Sequence, residues 1–208
     1  MGSLPPEYHN WTLLNGIDVV NNQLTGIIPS VYETWTQLLY FDVGFNQLTA
    51  SLPATLSSWT MVQSFYAQSN QLQGSLPPEY AAWTQMNSIA VYGNQFTGSL
   101  PPSYSSWSNM TTFYAYNNTL TGTLPPQYST WQNIREFCVQ ANRLNGTLSN
   151  WTAGGIDMRS SSRTTVSLVH FHLRTLRGRR SISLMCPSIT LTDHFPSEYS
   201  NWTRLIGL

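Results

Sequence analysis

Lysine is absent from this chain, and charged residues of all kinds fill only 9% of its 208 positions. Cysteine occurs twice, at Cys138 and Cys186, too seldom for a disulfide framework. No apolar run approaches the roughly 20 residues of a membrane-spanning helix. His9 is the only histidine before residue 153, and no pair of carboxylates recurs there at a working separation. A catalytic centre needs titratable groups gathered in one place. These absences argue against an enzyme, a metal site, a cofactor and a membrane span. The zero net charge hides an asymmetry. Residues 1–152 hold two Arg against six acids, residues 153–190 hold six Arg against Asp157, and the tail from 191 is net −1. The longest part of the chain therefore has no basic footprint for nucleic acid.

What is present is repetition. Trp stands at 11, 35, 59, 83, 107 and 131, and Asn at 22, 46, 70, 94, 118 and 142. Leu or Ile precedes Pro at 4, 28, 52, 76, 100 and 124, so all three series step by 24. A strict period in the twenties predicts a solenoid whose turns bury their apolar faces against one another. Counting from each Trp, apolar residues fall at +3, +6 and +8, Asn at +11, and Leu or Phe at +13. Pairs such as Phe41-x-Val43 and Ile89-x-Val91 alternate as short strands do. Stacked one per turn, they predict six parallel strands centred near Asp18, Asp42, Tyr66, Ala90, Tyr114 and Cys138. The Asn at +11 sits where the chain leaves the strand, where its amide can serve backbone groups left without partners. Gly26, Gly74, Gly98, Gly122 and Gly146 suit the following bend, with Ala50 as the exception. The Trp series, and Tyr8, Tyr32, Tyr80, Tyr104 and Tyr128 before it, are expected in the core.

The run Leu24-Thr25-Gly26, followed by Ile28-Pro29, together with the spacing above, resembles the leucine-rich repeat family in its 24-residue variant. Tyr and Trp replace Leu in the LPPEY-x-x-W segment, a dialect that resembles the surface-antigen repeat proteins of kinetoplastid protozoa. The resemblance implies an α/β fold, a curved horseshoe with one parallel sheet on its concave face and a mostly irregular or 3-10 back. It also implies a module that binds a protein or glycan, at the cell surface or secreted as part of a longer protein. Residues 1–152 are expected to form about six repeats. Met1 leads straight into a repeat and the chain ends within one, so the chain reads as an internal piece with no signal peptide.

Between residues 153 and 190 the repeat disappears, and at Leu191 to Thr203 it resumes as partial repeat to residue 208. Loss with clean recovery suggests a reading-frame slip. Codons for LTGTLPPSYSTWTAINIFDVSFNH, read one nucleotide later, can spell Ser167 to Thr190. On this reading Arg-Gly-Arg-Arg at 177–180 is no nucleic-acid patch, and His170-x-His172 is no half metal site. As written, the segment is expected to be irregular or loosely packed on the sixth repeat. The coding DNA decides: read one nucleotide back, it should restore Trp, Phe-x-Val and Asn at repeat spacing. Stops in that frame would make the Arg-rich segment genuine.

Positions +5, +7 and +9 alternate with the buried strand positions and should face away from the core. Among them Tyr40, Asp42, Tyr66, Gln68, Tyr92, Tyr114, Tyr116 and Gln140 are the candidate binding residues, since Tyr offers contact area with a hydrogen-bonding tip. Tyr is also simply common here and favours strands. Asn10, Asn109, Asn117, Asn145, Asn150 and Asn201 head N-x-Ser/Thr sequons and permit glycosylation in a secretory setting. The alternative function is a structural or coat spacer with no selective face. Variation at +5, +7 and +9 against a constant core favours recognition.

Overall fold

A computed structural model of the chain describes residues 2–146 continuously, plus the backbone of four short strands beyond them. Six strands stack one per repeat: β1 (Gly16–Asp18), β2 (Tyr40–Asp42), β3 (Ser64–Tyr66), β4 (Ser88–Ala90), β5 (Thr112–Tyr114) and β6 (Glu136–Cys138). Each pairs in parallel with the next, in register at a 24-residue offset. Position therefore maps directly onto rows running across the sheet, with Asp18 beside Asp42 and Asp42 beside Tyr66. On the opposite side a 3-10 helix follows each Leu/Ile-Pro pair, from Pro6–Asn10 to Pro126–Thr130. Proline opens these helices without losing a needed N–H. The chain folds as a leucine-rich-repeat solenoid with a parallel sheet and 3-10 turns; among the described residues its helical part is entirely 3-10.

The core is aromatic. Trp35, Trp59, Trp83, Trp107 and Trp131 are fully buried, and neighbouring indoles such as Trp59 and Trp83 stack 6.1 Å apart. Each indole N–H also donates across the repeat boundary to the previous helix, as Trp83 Nε1 does to the Leu56 carbonyl at 2.9 Å. The hydroxyls of Tyr32, Tyr80, Tyr104 and Tyr128 donate to the carbonyls of Pro5, Pro53, Pro77 and Pro101. A purely apolar Leu at these positions would pack but could not hold the turns in register through directed bonds.

The Asn series does similar work at the sheet edge. Asn94 Nδ2 donates to the carbonyls of Ala67, Val91 and Tyr92, and its Oδ1 accepts from the Leu72 N–H at 3.0 Å. Asn46, Asn70, Asn118 and Asn142 repeat the pattern. These clamps hold the preceding residue in left-handed conformation: Asn21, Phe45, Ser69, Gly93, Asn117 and Ala141 have φ between 52° and 65°. The later bend is left-handed too, at Gly74 (φ 79°) and at Ala50 (φ 64°) where glycine is replaced.

The structure departs from the sequence reading in three ways. First, a second series of short parallel strands follows the Asn clamp, including Leu24–Gly26, Gln73–Ser75 and Thr121–Thr123. These pair into separate sheets of two or three strands, so the solenoid does not rest on one sheet alone. The clamp sets consecutive turns close enough for their backbones to bond, as Thr121 N does to the Gly98 carbonyl at 2.8 Å. Second, Trp11 is 49% exposed and Tyr8 only half buried, because no preceding turn covers them in these residues.

Third, the Arg-rich segment is not irregular throughout. His170–Leu176 (β7) pairs antiparallel with β6, and Arg179–Ser183 (β8) pairs antiparallel with β7. The six repeat strands are all mutually parallel, but the outer edge of β6 has an antiparallel neighbour. An edge strand presents unpaired N–H and C=O groups, and any extended segment of either direction satisfies them. The partial repeat at 191–208, Asn150 and Asn201 lie outside the described residues, and the frame-slip reading is a matter for the coding DNA.

Candidate functional site

The sheet face opposite the core carries three rows. The +5 row runs Gly16, Tyr40, Ser64, Ser88, Thr112 and Glu136; the +7 row Asp18, Asp42, Tyr66, Ala90, Tyr114 and Cys138. The +9 row runs Val20, Gly44, Gln68, Tyr92, Tyr116 and Gln140. Small residues in repeats three and four divide the tyrosines into two groups. In one, Tyr40 and Tyr66 meet edge to face, their centroids 5.7 Å apart. In the other, Tyr92 stacks on Tyr116 at 4.3 Å and 8°, and Tyr114 stands edge-on to both. All five rings are half-buried, so each keeps surface for a ligand.

A carboxylate accompanies each group. The Tyr114 hydroxyl hydrogen-bonds Glu136, its diagonal neighbour on the next strand. The Tyr40 hydroxyl donates to Asp42 Oδ2 at 3.2 Å, and the Gly44 N–H donates to Asp42 Oδ1 at 2.8 Å. Burial lifts the Asp42 carboxyl above its ordinary value, against the pull of those two donors. The Tyr40 phenol is pushed up to about 12, chiefly by burial and then by Asp42 and Asp18.

Not every candidate is on the surface. Asp42 and Gln68 are buried at 7% and 8% exposure. Gly44 explains Gln68: a β-carbon at Gly44 would stand 2.4 Å from Gln68 Nε2 and 3.0 Å from Asp42 Oδ1. The bare glycine lets the long carboxamide lie flat across the previous repeat, beside the Asp42 carboxylate. Neither Gln68 Oε1 nor Gln140 Oε1 has a hydrogen-bond partner among the described residues. Of the sequons, Asn10, Asn109, Asn117 and Asn145 are exposed.

Counting strand positions alone missed a second feature, on the flank where the chain enters the sheet. Gln63, Gln85, Asn87, Asn109, Thr111, Asn133 and Arg135 line a shallow polar groove there. They come from +2 and +4, outside the strands, and the run of carboxamides at those two positions was the available signal. Asn109 heads a sequon, so a glycan on it would occupy the groove. Among the described residues no three His, Cys, Asp or Glu side chains gather as metal ligands.

No protein-family model matches the sequence, and neither does the sequence of any curated protein. Solved structures do match. One is a plant peptide hormone receptor, RGFR1 in complex with RGF2: 25% identity over 70% of this chain and 23% of the receptor chain, TM-score 0.68. Another is the ectodomain of the Arabidopsis thaliana receptor kinase GASSHO1/SCHENGEN3 in complex with CASPARIAN STRIP INTEGRITY FACTOR 2: 28% identity, 71% and 18% coverage, TM-score 0.68. A third is the Arabidopsis thaliana BIR2 ectodomain: 26% identity, 62% and 68% coverage, TM-score 0.55. The chain spans about a fifth of the length of the first two.

Proposed function

We propose that this chain is a non-enzymatic recognition module that takes a peptide or protein segment along the exposed face of its parallel sheet. The observation that carries this is the pair of tyrosine groups on that face, each joined to a carboxylate, on a scaffold whose core repeats almost without change. Tyrosines supply contact area at low entropic cost and keep a hydroxyl for hydrogen bonding. A spacer would have no use for rows that differ repeat by repeat. The similar receptor ectodomains solved with peptide hormones support a peptide over a glycan, the other partner the sequence suggests. The repeat dialect supports a cell-surface or secreted setting within a longer protein, of the kinetoplastid surface-antigen kind. Residues 1–152 are proposed as the working unit.

The test is a peptide-display selection on the intact chain, followed by the triple variant Tyr66→Ser, Tyr92→Ser, Tyr116→Ser. The variant should bind selected peptides at least about tenfold more weakly. The core stays intact, since these rings pack on one another, but four ring pairs of about 0.5–1.5 kcal/mol each are lost. Binding is therefore compared at a temperature where circular dichroism shows both proteins folded. Undiminished binding would move the site off this face.

A further inference from the structure

We infer that the corner formed by Asp18, Tyr40, Asp42 and Tyr66 seats a basic side chain of the ligand, arginine in preference to lysine. This rests on the peptide-recognition reading above but concerns one corner of the face. Asp18 and Asp42 are register partners on adjacent parallel strands, so two carboxylates stand in one row about 4.8 Å apart at the backbone. Like charges so placed repel and favour a cation between them. The described repeats around it supply none: residues 2–134 contain no Lys or Arg. Arg135 and Arg143 belong to the sixth repeat, about 19 Å from Asp42 at four strand spacings, beyond the screening length at physiological salt.

The corner is shaped for more than charge. Asp18 is exposed; its Oδ1 accepts from the Val20 N–H at 3.1 Å, and its other oxygen carries no bond among the described residues. Beside Asp42 lies Gln68, more than nine-tenths buried, whose Oε1 has no donor. Asp18 and Gln68 thus each leave an acceptor unserved beside two carboxylates, which favours a cationic ligand group rich in donors. The half-buried rings of Tyr40 and Tyr66 stand edge to face, and the Tyr40 hydroxyl reaches the Asp42 carboxylate. A guanidinium brings five donors in a plane that can lie flat on a ring face and pair with a carboxylate through two parallel bonds; an ammonium is drawn to a ring face too but lacks the planar two-pronged fit.

The experiment titrates Nα-acetyl-arginine amide into the labelled intact chain and follows the Gly44 amide signal, because that N–H is bonded to Asp42. A saturable shift is expected, about tenfold weaker with the neutral isostere Nα-acetyl-citrulline amide. The shift should vanish in the double variant Asp18→Asn, Asp42→Asn and persist in Tyr92→Ser, Tyr116→Ser. In the double variant the amide oxygens still accept from the Val20 and Gly44 N–H groups, while the new amide nitrogen at position 42 donates to the Tyr40 hydroxyl oxygen. Equal response to citrulline, survival in the double variant, or the same shift from calcium chloride overturns the inference. Peptides selected on this face without a basic residue also overturn it, while the recognition reading stands. If the arginine derivative seats here and no peptide is ever selected, the corner stands and the peptide reading falls.

Discussion

Replacing Trp83 with alanine is expected to destabilise the solenoid by about 3–5 kcal/mol, the range for large aromatic truncations in cores. The indole is fully buried, stacks on Tyr80 at 3.8 Å, and packs between Trp59 and the Phe65 ring, 5.1 Å away. Its removal opens a cavity and takes one of two donors from the Leu56 carbonyl, which keeps only the Trp59 N–H at 3.0 Å. Because each repeat is stabilised by its neighbours, the loss should spread to the turns on either side. Trp11→Ala is the internal control: that ring is half exposed, and the same truncation should cost well under half as much. Denaturant unfolding of both variants checks the contrast. A loss below about 1 kcal/mol at Trp83 would mean that the Trp column is not the core.

The second large effect is expected at alkaline pH. The hydroxyls of Tyr32, Tyr80, Tyr104 and Tyr128 are held above their ordinary range, first by burial. In the unfolded chain the same phenols ionise near pH 10. Below that pH both states hold the protons, and the stability contribution is fully present. Above it the unfolded chain releases protons that the folded one keeps, so stability falls as pH rises. Each tyrosine contributes about 1.4 kcal/mol per pH unit. Four together give a slope of roughly 5 kcal/mol per unit, enough to unfold an ordinary domain between about pH 10.5 and 12. The absence of lysine removes one overlapping titration, and four of the eleven tyrosines are these buried ones. Circular dichroism and the phenolate signal of these four hydroxyls, taken as the difference from single Tyr→Phe variants, should change together in one cooperative step. Phenolate near pH 10 that is lost in the Tyr80→Phe variant while the fold is intact would contradict the burial of that hydroxyl.

The same columns explain how much could be read in advance. Period, strand positions, the parallel sheet and the Trp–Tyr core were all legible, because in a solenoid each residue's environment is set by its place in the repeat. Phe41, Phe65, Phe113 and Phe137 occupy one row since nothing but a 24-residue step separates them. Where the periodic environment fails, so did the reading. Trp11 and Tyr8 have the same sequence context as their successors but no turn in front of them. Strand β6 met an antiparallel neighbour because an edge accepts any extended chain. The left-handed residues Phe45, Ser69 and Ala141 carry no local sign of their conformation, which the clamp of the following Asn and the carbonyls around it imposes.

Of the candidate site, the sequence by itself determined which rows face away from the core and that tyrosine recurs on them. Tertiary structure alone decided how those tyrosines group, since Tyr92 and Tyr116 stack across two strands while Tyr40 reaches Tyr66 diagonally. It also decided that Asp42 and Gln68 lie buried beside one another on the far side of a glycine from the previous turn. The reason is physical: the repeat fixes where each Cβ points, but rotamers, burial and charge environment depend on side chains 22 to 26 residues away. Those neighbours differ from turn to turn.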